Sequence, residues 1–109
     1  AKNIHMYKGK TIALAGIAIT RKITSTRNRQ PMEFVTFEDE TDLYECVMFP
    51  ETYKTFGDLL NWETLFLIQG KVEEAYSVYT VTIEKLISLT QMIKRIKETK
   101  TVLTESLTQ

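Results

Sequence analysis

Met32 to Glu38 is rich in β-forming residues, to which an extended strand applies a two-residue period. Val35 and Phe37 fall on one face of an extended strand, with Phe34, Thr36 and Glu38 on the other. Pro31 precedes this run and the acidic link Asp39-Glu40-Thr41-Asp42 follows it. Leu43 to Phe49 then repeats the β-forming character, and Pro50 closes it. Two such runs joined by a short polar link predict a β-hairpin. The second face of its first strand is polar except for Phe34, which reads either as a recognition platform or as an incidental surface residue.

The rest of the chain organises around this hairpin. Residues 1–10 form a polar lead-in, with Gly9 between two lysines as a turn. Thr11 to about Ile23 is an apolar, Ile-rich run too long for an ordinary flat strand, and Gly16 near its middle suggests a bulge or bend. Thr24 to Gln30 is polar and basic and reads as a loop. After the hairpin the period changes: Tyr53, Phe56, Gly57 and Leu60 predict one short helix over 50–61, with Pro50 and Glu51 suited to its first turn. Thr64 to Glu73 predicts a fourth strand with a kink at Gly70, and residues 74–77 a connection. In Val78 to Leu86, Tyr79, Val81 and Ile83 oppose Val78, Thr80, Thr82 and Glu84, which predicts a fifth strand.

Three strands, a helix and two strands describe an all-β, five-stranded Greek-key barrel with its helix between strands three and four. The barrel is expected over 11–89. In the tail, 90–109, Met92, Ile93, Ile96, Leu103 and Leu107 share a loose stripe broken by Lys100, which predicts a helix starting near Thr90.

At 109 residues the chain is one domain with one modest core. Its 14 basic and 14 acidic residues balance, so no global field draws a polyanion, and nucleic-acid binding would rest on a local basic patch and be weak. A single cysteine, Cys46, excludes an internal disulfide and fits a reducing, cytoplasmic compartment. No run approaches the roughly 20 apolar residues of a membrane span.

The sequence contains no catalytic constellation. With one histidine, His5, and one cysteine, it lacks the ligands for a zinc cluster. Cys46, mid-strand, reads as a small core residue and His5 as a solvated one. The acidic run at 38–42 lacks the calcium-loop spacing and its glycine, so it reads as a solvated turn. The four glycines are scattered and make no phosphate cradle; no cofactor is expected.

The pattern P-M-x-F-V-T-F-E-D-E-T…E-x-V-x-F-P, residues 31–50, resembles the second and third strands of anticodon-binding OB-folds. It is closer still to the OB-fold domain of the bacterial DNA polymerase III alpha subunit, whose strand reads near PMAFVTLEDETG, followed by V-x-F-P and a helix. The chain departs at Asp42, where that family has Gly, which affects turn geometry only. The resemblance runs from about Tyr7 to Leu89 and leaves the tail unexplained. With Ala1 in first place, it suggests a piece of a longer polypeptide, or else a processed start.

The resemblance implies an OB-fold barrel that binds single strands with the face of strands two and three and the adjoining loops. Such a face needs a stacking aromatic and nearby cations. The sequence offers Phe34 and Thr36 on strand two, Arg21 and Lys22 late in strand one, and Arg27 and Arg29 in the loop after it. Lys71, near the end of strand four, and Tyr76, beside the last loop, complete the set. Tyr79 reads as core by parity. In related anticodon-binding domains the residue at Phe34 stacks on a base and the polar position of strand three, here Glu45, meets a base edge. Glu45, Glu33 and Glu38 oppose phosphate.

The expected function is a non-catalytic module of a replicative DNA polymerase alpha subunit that weakly binds template single-stranded DNA. Its other partners would be the remainder of that subunit and replisome proteins, with no membrane. The polymerase's catalytic carboxylates have no counterpart in this chain. A protein-docking module of the replicase is the alternative. A synthetase anticodon-binding domain is a third reading, and Pro31 and the F-P-E-x-Y run count against it.

Overall fold

In the computed structural model, residues 3–75 and 77–108 are described, with side chains as far as residue 101. Five strands, β1 (Thr11–Ser25), β2 (Pro31–Glu38), β3 (Leu43–Met48), β4 (Leu65–Ala75) and β5 (Val78–Ser88), close into a barrel in the spatial order β1-β2-β3-β5-β4. Helices α1 (Pro50–Phe56) and α2 (Leu59–Trp62) lie between β3 and β4, and α3 (Leu89–Thr108) follows β5. The five-stranded OB-type barrel expected from the sequence is the observed fold.

Closure depends on β1, which is long enough to pair with two strands. Its first half runs antiparallel to β4, from Thr11 opposite Lys71 to Ile17 opposite Leu65. Its second half runs antiparallel to β2, from Ile17 opposite Glu38 to Ser25 opposite Pro31. A register shift between Ala18 and Thr20 lets one strand serve both partners. The bend expected at Gly16 therefore comes slightly later. Gly16 instead makes room for a neighbouring strand. A Cβ there would lie 2.5 Å from the Tyr44 hydroxyl, which donates to the Ala15 carbonyl at 3.1 Å. Only a residue without a side chain lets Tyr44 tie β3 to β1 at that point. On the other side, β3 and β5 pair in parallel, Cys46 opposite Val81 and Val47 opposite Thr82.

The barrel is filled by side chains of alternating parity. Val35 and Phe37 from β2 meet Tyr44, Cys46 and Met48 from β3, Phe66, Ile68 and Val72 from β4, and Val81, Ile83 and Leu86 from β5. Phe37 lies 5.9 Å from Tyr44 and 6.0 Å from Phe66 between ring centroids. Each fully buried Phe contributes on the order of 2 kcal/mol relative to exposure. Of the apolar run in β1, Ile12, Leu14 and Ala18 pack on this core, while Ile17, Ile19 and Ile23 stay exposed.

Other boundaries differ from the sequence reading for local reasons. The single helix expected over 50–61 is two, interrupted at Gly57 and Asp58; Pro50 opens the first and Leu60 carries the second into the core. The connection expected at 74–77 is shorter, because β4 continues to Ala75, opposite Val78. A register shift between Gln69 and Gly70 marks the expected kink. The lead-in also contributes: Ile4 packs against the core, and Gly9 N–H donates to the Val72 carbonyl at 2.7 Å. Helix α3 begins at Leu89, capped by the Ser88 hydroxyl, which accepts from Gln91 N–H at 3.2 Å. Leu89 and Met92 are half-buried, and Ile93 and Ile96 are exposed. The side chains of Leu103 and Leu107 lie outside the described residues.

Candidate nucleic-acid interface

Because Val35 and Phe37 are committed to the core, the strand period turns Phe34 and Thr36 to the outside of β2. The register places neighbours on both sides. Lys22 of β1 lies opposite Phe34, and Phe34 opposite Val47 of β3. One step along, Thr20 lies opposite Thr36, and Thr36 opposite Glu45. These residues line an open groove of about 430 Å³ formed by Thr20, Arg21, Lys22, Phe34, Thr36 and Glu45. Phe34 keeps 36% of its surface exposed, enough for a flat face to receive a ring.

The β1–β2 loop lies at the end of the same hairpin. Arg29 N–H donates to the Thr26 carbonyl and Thr26 N–H to the Gln30 carbonyl, both at 2.9 Å. Arg29 sits in the left-handed region at φ 61°. This is the compact three-residue hairpin loop that ends in a left-handed residue. Thr26 stands four strand positions beyond Lys22, so exposed Arg27 and Arg29 lie about 13 Å further along the same hairpin. Lys22 thus lies beside Phe34, with Arg27 and Arg29 at the tip of the same hairpin.

Arg21 is placed differently from the other cations. Its Nε donates to Glu33 Oε2 at 2.5 Å, its Nη2 to Glu33 Oε1 at 3.2 Å, and its Nη1 to Asn61 Oδ1 of α2 at 2.8 Å. The hydrogen bond to the Glu33 carboxylate raises the guanidinium's pKa above its ordinary value. Arg21 borders the groove, but its charge is engaged in closing the end of the barrel. Glu33, expected to oppose phosphate, is fully buried and has this partner. Its parity with Val35 and Phe37 carried that signal in the sequence; nothing in the sequence pointed to Asn61.

The remaining candidates lie elsewhere. Lys71 is exposed on β4, between Thr11 of β1 and Thr82 of β5, and does not line the groove. Tyr76 lies outside the described residues. Tyr79 is half-buried and packs on the core, as parity indicated, with its ring 6.2 Å from that of exposed His5. Trp62, which the sequence reading did not single out, is 76% exposed at the end of α2, with its indole N–H donating to Asp58 at 3.2 Å.

In the acidic turn, Asp39 accepts from the backbone N–H groups of Thr41 and Asp42 and from the Thr41 hydroxyl, at 2.8–2.9 Å. It serves as a turn former. Among the described residues no group of three His, Cys, Asp or Glu side chains is placed to hold a metal. Cys46 is buried, and burial pushes its thiol pKa far up, which keeps it protonated and unreactive. No helix among the described residues is long and apolar enough to cross a membrane.

Comparison with known proteins places this geometry in context. Residues 13–89 match the OB-fold nucleic acid binding domain family of the tRNA anticodon-binding type. The DNA polymerase III subunit alpha of Halalkalibacterium halodurans is 28% identical over 88 residues, covering 80% of this chain and 8% of that protein. The chain therefore spans only a small part of the curated relative's length. Asparaginyl-tRNA synthetase from Pyrococcus horikoshii superposes with a TM-score of 0.58 at 21% identity, over 77% of this chain and 20% of that one. A mitochondrial single-stranded DNA binding protein from S. cerevisiae superposes with a TM-score of 0.61 at 9% identity, over 75% and 97%. At these identities the two superpositions speak to the fold alone. The closed barrel, its strand order and the match over most of the chain together establish that this protein belongs to the OB-fold nucleic acid binding domain family.

Proposed function

We propose that the chain is a non-catalytic module that binds single-stranded template DNA weakly on behalf of a replicative polymerase alpha subunit in the cytoplasm. The observation that carries this reading is the position of Phe34. It is exposed on β2, opposite Lys22 of β1, with Thr36 and Glu45 one register step away in one direction and Arg27 and Arg29 at the hairpin tip in the other. A base stacked on Phe34 contributes roughly 1–3 kcal/mol. Three phosphate contacts from Lys22, Arg27 and Arg29 give a salt slope of about −2. Binding of that size serves a tethered module, whose parent polypeptide supplies a high local concentration of strand. The similarity to polymerase III alpha subunits supports the choice of parent, and the remainder of that subunit and other replisome proteins are the implied partners.

The direct test titrates fluorescent oligo-dT into the chain at low and at higher salt, with Phe34→Ala alongside. Salt-sensitive binding that drops about tenfold with Phe34→Ala supports the reading. Absence of binding even at low salt rejects it. That result favours docking to protein within the replicase, a reading supported by Ile93 and Ile96 exposed along α3.

A further inference from the structure

We propose that Trp62 is a second base-stacking platform, across β1 from Phe34, so that a bound single strand passes over β1 between the two rings. The inference rests on the reading that Phe34 receives a base, and it goes beyond that reading by extending the contact surface to α2.

Strand pairing places α2 beside the groove. β4 pairs with the first half of β1 as far as Leu65 opposite Ile17, and Ala18 N–H continues that line by donating to the Thr64 carbonyl at 3.1 Å. The segment leading from α2 into β4 therefore follows the edge of β1 opposite the one that pairs with β2. Further along β1, Arg21 Nη1 donates to Asn61 Oδ1, and Trp62 is the next residue, at the end of α2. Phe34 and Trp62 stand on either side of β1, about two strand spacings or 10 Å apart across it. Exposed Lys22, opposite Phe34, lies on β1 between them and supplies a cation for the intervening phosphate. A span of this size falls within the roughly 4–16 nucleotides that one OB-type barrel engages.

The indole is both open and held. At 76% exposure, Trp62 is the most exposed large apolar side chain among the described residues. Its N–H donates to Asp58 Oδ2 at 3.2 Å, and the Asn61 amide donates to Asp58 Oδ1 at 3.0 Å. Together with the bond from Arg21 to Asn61, these make a chain of three hydrogen bonds from a residue that lines the groove to the ring. A ring oriented in advance loses little rotamer freedom when a base stacks on it. Both Asp58 oxygens are turned to protein donors by the same bonds. Because every base has a flat π-face, a platform of this kind accepts any of them.

Trp62 is the chain's only tryptophan, so its emission reports on this site alone. The test reads binding from the anisotropy of a labelled oligo-dT at low salt, and Trp62 emission with the unlabelled oligonucleotide over the same concentrations. The emission should be quenched in step with binding. Trp62→Ala should weaken binding about tenfold, and Trp62→Phe, which keeps a flat ring, should recover most of that loss. Since the ring is exposed, neither variant should move the urea midpoint. Binding that leaves the emission unchanged, or that survives Trp62→Ala undiminished, overturns the second platform. That result leaves the Phe34 site standing and returns Trp62 to the protein-docking reading. No binding at low salt overturns both.

Discussion

Arg21 on β1 holds the fully buried carboxylate of Glu33 on β2 through two hydrogen bonds and reaches α2 with a third, to Asn61. One guanidinium thereby fastens the strand pair next to the groove to the helix that closes the barrel. Removing one partner strands a charge away from water. Arg21→Ala should lower stability by roughly 3 kcal/mol in urea unfolding, whereas Arg21→Met combined with Glu33→Leu should recover most of the loss. A cost below about 1 kcal/mol for Arg21→Ala would mean that the pair is dispensable.

Gly16 and Tyr44 should be energetically coupled. The Tyr44 hydroxyl occupies the space a side chain at Gly16 would need. Gly16→Ala should cost roughly 2 kcal/mol, and Tyr44→Phe about 1 kcal/mol through its lost hydrogen bond to Ala15. The double variant should be more stable than the sum of the two costs predicts. Simple additivity in a thermal or urea melt would show that the close approach is relieved elsewhere.

Alkaline pH should weaken the fold through two buried acids. Burial pushes up the pKa of the Cys46 thiol, and also that of the Tyr44 hydroxyl. Below the thiol's ordinary value of 9.0 both folded and unfolded chains hold its proton, so nothing changes. Above it the unfolded chain releases a proton that the folded chain keeps, and stability falls by up to about 1.4 kcal/mol per pH unit for each such group. Unfolding midpoints at about pH 7 and about pH 10 should differ, and Cys46→Ala should flatten the difference. The same burial predicts that a maleimide labels Cys46 only after unfolding; labelling at the rate of a free thiol would contradict it.

The loop arginines should govern salt dependence without governing the fold. Arg29 adopts a left-handed conformation that Asn tolerates well. Arg27→Gln with Arg29→Asn therefore removes two charges and keeps the turn. The slope of log affinity against log salt should shrink from about −2 to about −0.7, with thermal stability unchanged. An unaltered slope would place the phosphates away from this loop.

The strand pattern was legible in the sequence wherever a segment's periodicity was set by one buried face. Val35 and Phe37 share the inward parity of the barrel wall, and Phe34 could be assigned outward from these neighbours alone. Pro50 marked the start of α1 and Gly70 the kink in β4, whereas propensity resolves other boundaries only to within a few residues. Period and turn chemistry are local properties, carried by the residues themselves.

The tertiary structure decided how the charges are used. Lys22 and Arg21 are adjacent and chemically alike, yet one borders Phe34 and the other serves a buried carboxylate. Glu33 shares its parity with Val35 and Phe37, but its burial became tolerable only when β1, β2 and α2 brought Arg21 and Asn61 together. Lys71 left the groove because β4 pairs with the first half of β1 and not the second. Strand composition determined which residues could face outward. Long-range pairing determined which of them face one another, because register across strands depends on segments far apart in the chain.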